Sequence, residues 1–175
     1  GLFNCAFRST KDISIKGGYL FSWMMDALMV GIGVGFDTLG AGTLVISDPI
    51  YTDDIHIIDD SREGWVRSVQ ILIDGFLCAK EVPKFDYSAI RAYGEPIKGF
   101  GGTSAGHGPL KELHENLAAL LSPKIGEDIT SVDIVDIENL IGRCVVAGNV
   151  RRSAALAMGS FDDKEYLSMK NDKEK

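Results

Sequence analysis

The chain has 175 residues, of which 45% are hydrophobic and 25% are charged, and its formal net charge is −7. This composition is typical of a globular protein with a sizeable core and excludes an intrinsically disordered chain. The negative charge argues against a broad nucleic-acid-binding surface, because binding to a phosphate backbone needs a basic face. A local cluster of N–H groups can still bind a small anion.

Three cysteines, Cys5, Cys78 and Cys144, stand at unrelated positions. Their number is odd and their spacing fits neither a disulfide framework nor a metal site, so we predict no metal and a reducing, cytoplasmic location. The longest apolar stretch, residues 19–36, is interrupted by Asp26 and three glycines. It falls short of a membrane-spanning helix, and we expect no membrane partner.

The first ten residues, GLFNCAFRST, predict a short buried strand that carries the Cys5 thiol at its end. Residues 12–18 are polar and glycine-rich, which predicts a loop. From Tyr19 onward, apolar residues cover nearly all sides of a helix and indicate that it is central and buried. A buried cysteine is usually a small inert hydrophobe, so these residues alone favour a structural role for Cys5.

A GxGxG run, GIGVGF at residues 31–36, follows this helix directly. A dinucleotide-binding fingerprint needs a strand before the glycines and a helix after them, and here that order is reversed. Close approach of another backbone fits better. Gly31 and Gly33 would let either a neighbouring strand or a ligand lie against the main chain, and the two interpretations are equal at this point.

The middle of the chain predicts one helix between short strands. Asp60 and Glu63 form a capping-box pattern ahead of an amphipathic helix over residues 62–79. Pro83 is expected to end that element. Possible strands cover residues 43–46, 53–60 and 84–90.

A second glycine-rich segment, GFGGTSAGHGP at residues 99–109, precedes a leucine stripe at helical spacing. Pro109 fits the first helical position. Glycine, serine and threonine N–H and O–H groups that lead into a helix N-terminus offer an anion site, although the Lys-Ser/Thr ending of a Walker A loop is missing. A flexible connector is the equal alternative.

The segment near the C-terminus carries the strongest local signals. Apolar residues at helical spacing predict a helix over residues 132–147, and Thr130 suits its N-cap. Gly148 and Asn149 suit a left-handed C-cap. Small apolar residues at 154–158 predict a buried strand, so the order is helix, loop, strand.

Two adjacent arginines, Arg151 and Arg152, lie in the loop between that helix and that strand. Together with Ser153 they could hold a phosphate, because a guanidinium group binds phosphate oxygens bidentately. From spacing alone, a solvated pair or ion pairs with Asp162 and Asp163 are the favoured interpretation.

Five motifs, in this order, resemble a single protein family. They are NCAF at residues 4–7, GIGVGF at 31–36, DSREGWV at 60–66, IKGFGGTSAGHGPL at 97–110 and VVAGNVRRSA at 145–154. The set is similar to adenosylcobalamin-dependent (class II) ribonucleotide reductases, in particular the monomeric ribonucleoside-triphosphate reductase branch. The similarity extends over essentially the whole chain.

The resemblance implies an α/β fold, namely the N-terminal half of the ten-stranded α/β barrel of the ribonucleotide reductase large chain. We expect one partial barrel domain over residues 1–175, truncated at both ends. The resemblance also implies that Cys5 is one of two cysteines oxidised to a disulfide as the ribose 2′-hydroxyl is lost. Asn4, Gly31 and Gly33 would line the substrate pocket.

The resemblance further implies two loops that bind an allosteric deoxynucleotide effector. Their residues are Gly101, Gly102, Thr103, Ser104, Gly148, Asn149, Arg151, Arg152 and Ser153. With this assignment, ligand contact or loop ordering is favoured over a solvated pair for the two arginines. The segment between Gly42 and Asp53 is short where the monomeric enzymes carry a long insertion that completes the effector site. A dimer is one way to supply the missing wall, and the oligomeric state is left open.

Parts of the family pattern are missing from this sequence, which has no Asn-x-Cys-x-Glu finger loop, no cobalamin-docking region and no C-terminal cysteine pair. We therefore interpret the chain as part of an enzyme that reduces ribonucleotides, at the triphosphate level, with adenosylcobalamin bound largely outside the chain and a thioredoxin-like dithiol as reductant. The chain alone is expected to be inactive. The alternatives are a non-catalytic nucleotide-binding half-barrel and a partial gene product without a stable fold.

Overall fold

The computed structural model describes residues 4–97, 102–148 and 154–169, which form a mixed α/β structure. The strands are β1 Cys5–Arg8, β2 Gly33–Asp37, β3 Ile50–Ile57, β4 Glu81–Asp86 and β5 Ala155–Met158. The helices are α1 Ile13–Lys16, α2 Tyr19–Met29, α3 Arg62–Cys78, α4 Gly108–Leu121, α5 Ser131–Ala147 and α6 Lys164–Ser168, and a 3₁₀ turn at Ser122–Lys124 follows α4.

The strands form two parallel sheets. In the first, β2 lies between β1 and β5, with Cys5 opposite Gly33 and Val34 opposite Ala155. In the second, β3 pairs with β4. Parallel neighbours need a crossover connection, which α2 provides between β1 and β2 and α3 provides between β3 and β4.

Helices α2 and α5 pack together and cover one face of the three-stranded sheet. Val34 and Phe36 of β2 are buried on that side, and α2 is buried along most of its length, as its apolar pattern predicted. The opposite face is open: Phe7 is 53% exposed and Leu156 is 63% exposed. The prediction that β1 and β5 are buried strands is therefore wrong, because the described residues cover the sheet on one side only.

Helix α3 begins at a cap that the sequence pattern misplaced by one residue. Ser61, rather than Asp60, is the N-cap, and its hydroxyl accepts a hydrogen bond from the backbone N–H of Gly64 at 3.0 Å. The helix ends at Ala79, whose φ of 51° is left-handed. Pro83 lies inside β4 and does not end the helix.

The far end of α3 is fixed by the buried carboxylate of Asp74. It accepts hydrogen bonds from the backbone N–H of Gly18 at 2.8 Å and from Lys80 Nζ at 2.9 Å. Gly75, the next residue, lies so close to the side chain of Val82 that a β-carbon there would overlap it. Helix α3 thus packs tightly on β4 and on the start of α2.

Helix α5 carries the predicted N-cap as a full capping box. Thr130 Oγ1 accepts from the backbone N–H of Asp133 at 3.1 Å, and Asp133 Oδ2 accepts from the backbone N–H of Thr130 at 2.9 Å. The left-handed C-cap expected at Gly148 is wrong, since its φ of −69° is right-handed and its N–H donates to the Cys144 carbonyl, which continues the helical pattern.

Two local predictions fail. Residues 12–18 contain the short helix α1 rather than a loop alone, and residues 43–46 contribute only an isolated bridge from Val45 to Asp128. Among the helices in the described ranges, none has the length and apolarity needed to cross a membrane.

Candidate functional site

Cys5 and Asn4 lie beside Gly33 at the amino end of the three-stranded sheet. The Asn4 carbonyl accepts a hydrogen bond from the Gly33 N–H at 3.0 Å. Cys5 Sγ lies 3.7 Å from the point where a β-carbon on Gly33 would stand, and the Cys5 side chain is exposed. Because Gly33 has no side chain, the surface next to the thiol is flat and open.

The rest of this open face is apolar or bare. Gly35 follows Gly33 on the same side, and a β-carbon there would lie 3.2 Å from Phe7 and 3.4 Å from Met158. We define the open sheet face by Cys5, Phe7, Gly33, Leu156 and Met158. Parallel sheets in α/β proteins are normally covered on both sides, whereas the described residues leave this face open.

Gly31 has a separate role from Gly33. Its φ of 85° is left-handed, and its N–H donates to the Leu28 carbonyl at 2.9 Å, so it terminates α2. It lies two residues before β2 and outside the strand. The structure therefore brings Asn4, Cys5 and Gly33 together and gives Gly31 the turn that leads to them.

Described residues from both predicted effector segments line one cavity of about 470 Å³, here called the helix-end cavity. Ser104 and Gly148 both line it. Its walls are the last residues of α2, the first turn of α3, the turn before α4 and the residue after α5. Five predicted effector residues lie outside the described residues: Gly101, Asn149, Arg151, Arg152 and Ser153.

A short antiparallel pairing lies just before the wall formed by residues 104–106, and the predicted effector residues Gly102 and Thr103 take part in this pairing and do not line the cavity. Thr103 pairs with Pro96, and the N–H of Ile97 donates to the Gly102 carbonyl at 3.0 Å. The N–H of Ser104, a residue only 7% exposed, donates to the Glu95 carbonyl at 2.7 Å. Its hydroxyl accepts from the N–H of Gly106 at 2.9 Å, so residues 102–106 are held by hydrogen bonds of their own.

Sequence analysis missed four cavity residues, Asp60, Ser61, Arg62 and Arg91. Arg91 Nε donates to Asp60 Oδ2 at 2.7 Å, and its Nη1 donates to the Pro96 carbonyl at 3.2 Å. The motif DSREGWV was the available signal, but its acids were interpreted only as a helix start. The cavity thus contains a guanidinium group already paired with one carboxylate, which a phosphate could replace.

Arg62 is the second guanidinium group at this cavity. It forms ion pairs with Asp26 of α2 at 2.8 Å and with Glu63 at 2.6 Å. The hydrogen bond from Arg62 holds the pKa of the Glu63 carboxyl below its ordinary value. These pairs are partly exposed, so their main effect is to orient the first turn of α3 rather than to stabilise the fold.

The other two cysteines lie away from the open sheet face. Cys144 is buried in α5, and burial raises the pKa of its thiol to about 12. Cys78 is half-buried at the end of α3, and burial also raises its pKa. Across residues 4–97, 102–148 and 154–169 the structure contains no cluster of three or more His, Cys, Asp or Glu side chains that could hold a metal ion.

Comparison with known proteins gives one consistent family. A family model described as B12-dependent ribonucleotide reductase, insertion domain, matches residues 44–121. The chain is 47% identical over 192 residues to a probable adenosylcobalamin-dependent ribonucleoside-triphosphate reductase of Dictyostelium discoideum, covering 98% of this chain and 25% of the relative. It is 45% identical over 172 residues to the adenosylcobalamin-dependent ribonucleoside-triphosphate reductase of Euglena gracilis, covering 97% of this chain and 24% of the relative.

A solved structure agrees with these relatives. The chain superposes on a crystal structure of B-12 dependent (class II) ribonucleotide reductase with a TM-score of 0.71 and 33% identity, over 90% of this chain and 27% of that chain. The insertion-domain match begins just after Gly42 and runs through α3 and α4. It therefore spans a much longer stretch than residues 42–53, where the sequence analysis looked for a shortened insertion. The chain spans about a quarter of the length of these relatives and belongs to the family of adenosylcobalamin-dependent (class II) ribonucleotide reductases.

Proposed function

We propose that the chain is the part of an adenosylcobalamin-dependent ribonucleoside-triphosphate reductase that supplies one redox thiol and the effector cavity. The observation that carries the redox role is the exposed Cys5 thiol beside Gly33 on the open sheet face. A thiol that exchanges electrons must be reachable, whereas a structural cysteine is normally buried. Cys5 meets that requirement, and Cys144 does not.

The proposed reaction balances with one dithiol for each ribonucleotide. The C2′–O bond of the ribose breaks and the hydroxyl leaves as water, while a C2′–H bond forms. Cys5 and a second thiol outside this chain each lose a hydrogen and form one S–S bond, which supplies the two electrons. A thioredoxin-like dithiol then reduces that disulfide. The free thiols suit a reducing cytoplasm.

Asn4, Gly31 and Gly33 are the proposed substrate-binding residues. Gly33 leaves a gap beside Cys5 Sγ that a ribose ring can enter, and Asn4 lies at its edge with an exposed side chain. Gly31 acts through the turn that aligns β2 with β1. Close positioning of reacting atoms is a major part of catalysis, so small residues next to the thiol have a mechanistic reason.

The three parallel strands are the proposed start of the five-stranded half of a barrel, with the open sheet face directed inward. Adenosylcobalamin supplies radical chemistry when bound. The bare surface at Gly33 and Gly35 has room for a large ligand, but the described residues form a wall and do not enclose one. We therefore assign no residue of this chain to the cofactor.

Replacing Cys5 tests the redox role. In the reductase that contains this sequence, Cys5→Ser should lower turnover with a dithiol reductant by at least about 10³-fold, because serine cannot form a disulfide. Cys78→Ser is the matched control, since Cys78 is a half-buried thiol at the end of α3, and it should keep most of the activity. Full activity of Cys5→Ser would disprove the assignment.

The helix-end cavity supports a second candidate, a nucleotide-binding module without catalysis. Among the described residues, its lining includes Arg91, Ser104 and the first turn of α3. A deoxynucleoside triphosphate could place its phosphates on Arg91 and its sugar hydroxyl on Asp60. These contacts apply equally to an allosteric effector of the reductase.

Equilibrium dialysis of the four deoxynucleoside triphosphates tests the cavity. Arg91→Ala should weaken binding by about tenfold or more, because a charge-assisted pair contributes about 1.5–3 kcal/mol. Arg91→Lys keeps the charge without the bidentate geometry and should recover part of the affinity. Binding by the chain without any turnover favours the module, and equal affinity in all variants would show that the cavity does not bind the nucleotide.

A further inference from the structure

A buried hydrogen-bond chain joins three side chains behind the helix-end cavity. Tyr87 Oη and His114 Nδ1 are 2.7 Å apart, and His114 Nε2 is 3.1 Å from Ser68 Oγ. Ser68 Oγ in turn donates to the Trp65 carbonyl at 2.8 Å. Ser68 and His114 are 0% and 5% exposed. We call these three side chains the Tyr87–His114–Ser68 relay.

The hydrogen-bond donor at each step of the relay can be assigned from the Ser68 hydroxyl. Ser68 uses its proton on the Trp65 carbonyl, so its oxygen must accept from His114 Nε2–H. His114 Nδ1 is then an acceptor, and the Tyr87 hydroxyl donates to it. Burial lowers the pKa of His114 to about 3, so the imidazole is neutral and keeps this single tautomer. Every polar atom of the relay is satisfied, which gives it one arrangement.

The relay links the two helices that continue from two walls of the helix-end cavity. Ser68 lies one turn beyond Trp65, which lines the cavity on α3, and His114 lies about two turns into α4, which follows the Ser104–Gly106 wall. The three relay side chains do not line this cavity, and His114 lines a separate one of about 350 Å³. In the described residues, Ser68 to His114 is the only side-chain hydrogen bond between α3 and α4. Tyr87 lines a larger cavity of about 790 Å³ on the other side of residues 105–106. The relay therefore lies where the spacing of α3 and α4 is set.

We propose that His114, held by Tyr87 and Ser68, is a positioning residue that sets the width of the helix-end cavity and thereby the affinity for the deoxynucleotide. This inference rests on the proposed nucleotide-binding function of that cavity. His114 acts through the backbone walls at Trp65 and Ser104 and does not touch the ligand. Without one of its hydrogen bonds, α4 can shift along α3. The distance between the cavity walls then changes, and one ligand can no longer make both the phosphate contact and the sugar contact.

The chain offers a closely matched control serine. Ser22 is 2% exposed, donates to a carbonyl three residues earlier, that of Tyr19, and meets a side chain of α3, Gln70. Ser68 likewise donates to the carbonyl three residues earlier, that of Trp65, and contacts a side chain of another helix, His114 of α4. Ser22→Ala and Ser68→Ala therefore delete the same group from similar surroundings, but only Ser68→Ala breaks the link between α3 and α4.

The experiment measures deoxynucleoside triphosphate affinity by equilibrium dialysis, and turnover without effector, in the reductase that contains this sequence. Ser68→Ala and Tyr87→Phe should each weaken affinity by about 3- to 10-fold with effector-free turnover preserved, since one hydrogen bond contributes about 0.5–1.5 kcal/mol. Ser22→Ala, which breaks a contact between α2 and α3, should weaken the affinity less than Ser68→Ala. His114→Gln, which keeps one donor and one acceptor, should bind more tightly than His114→Leu.

The outcomes separate this inference from the function on which it rests. A wild-type protein that binds no deoxynucleotide overturns both. Binding that is lost in Arg91→Ala but unchanged in Ser68→Ala, Tyr87→Phe and His114→Leu overturns the positioning role and leaves the proposed function standing. An equal loss in Ser22→Ala and Ser68→Ala also overturns it, because general destabilisation then explains the effect.

Discussion

The open sheet face and the helix-end cavity differ in how much of each is enclosed by this chain. On the sheet, the described residues supply one wall, and Phe7 and Leu156 stay more than half exposed. At the cavity, the ends of several helices converge, and a buried relay links α3 and α4 behind their first turns. Under the proposed function, nucleotide binding would use surfaces of this chain, whereas thiol chemistry would also need surfaces from other parts of the reductase.

The largest expected effect is in the region of the Tyr87–His114–Ser68 relay, where the free energy of unfolding should depend on pH. The folded pKa of His114, about 3, is below its ordinary value of 6.5, so the unfolded chain binds this proton first as the pH falls. The free energy of unfolding should therefore decrease between about pH 6.5 and pH 3, by about 1.4 kcal/mol for each pH unit. Burial is the main cause of the shift, and the nearby His56 adds to it.

Urea unfolding of wild type and His114→Gln at pH 7, 5.5 and 4.5 measures this contribution. The carboxylates are common to both proteins, so the difference between the two pH slopes isolates His114. The glutamine side chain does not titrate, and the variant should lose less stability in acid. Identical slopes would contradict the buried, neutral imidazole.

The open region is tested by adding one methyl group next to the thiol. A β-carbon on Gly33 would make only ordinary contacts, 3.7 Å from Cys5 Sγ and 3.8 Å from the Ala154 carbonyl, so Gly33→Ala should leave stability within about 0.5 kcal/mol. Turnover of the reductase should fall by about 10²-fold, because the methyl group displaces the substrate from the thiol.

Gly75→Ala is the opposite case and serves as its control. A methyl group there overlaps Val82, so overpacking should cost about 1–3 kcal/mol of stability, measured by urea unfolding, without a specific loss of turnover. If Gly33→Ala instead destabilised the protein and Gly75→Ala did not, the assignment of open and packed regions would be reversed.

A further prediction concerns the cost of burying the carboxyl group of Glu138 on α5, the helix that leads to the cavity. Its side chain is fully buried, and neither carboxyl oxygen has a hydrogen-bond partner among the described residues. Burial raises its pKa well above 4.5, so the folded protein holds a proton that the unfolded chain releases, and this penalty grows as the pH rises above about 4.5.

Glu138→Met should increase the free energy of unfolding at pH 7 by about 1–3 kcal/mol, the cost of an unsatisfied buried polar group. The gain should be larger at pH 7.5 than at pH 5 when both are measured by urea unfolding. Glu138→Gln separates the two causes, because it removes the titration and keeps unpaired polar atoms. A less stable Met variant would show that the carboxyl has a partner.

Sequence periodicity predicted the long helices α2, α3, α4 and α5, because each has a pronounced apolar pattern, but it missed the short helix α1 and some helix ends. Helix α5 is an example: its stripe and the Thr130 cap are local signals, and both are confirmed. The strands were harder. β5 is composed of small apolar residues that suggested burial, yet burial depends on what covers a sheet face, and local sequence carries no information on that.

Local sequence says little about which residues meet at the helix-end cavity. Ser104 and Gly148 were proposed as effector residues from motif resemblance, and the structure places both at one cavity, while their role stays a prediction. Arg91 and Asp60 are 31 residues apart; Asp60 was interpreted as a helix start, and Arg91 was not singled out. Only the fold shows that they pair. Their partnership depends on the packing of α3 against residues 90–97, which no periodicity encodes.

The smallest predicted effect concerns the first turn of α3, which lines the helix-end cavity. Ser61→Ala removes the N-cap acceptor for Gly64 and should cost about 0.5–2 kcal/mol of stability, measured by urea unfolding. Ser122→Ala, an exposed serine whose hydroxyl makes no hydrogen bond among the described residues, should change stability by less than about 0.5 kcal/mol.

Ser61→Asp then separates capping from ligand contact. Aspartate is an equally good N-cap and complements the helix dipole, so stability should return to the wild-type value. The added negative charge lies in the wall of the helix-end cavity, where it would repel a triphosphate. A variant that is fully stable yet binds deoxynucleotide more weakly places the ligand against this turn. Unchanged affinity would place the ligand elsewhere, because a negative charge next to a bound phosphate weakens its binding.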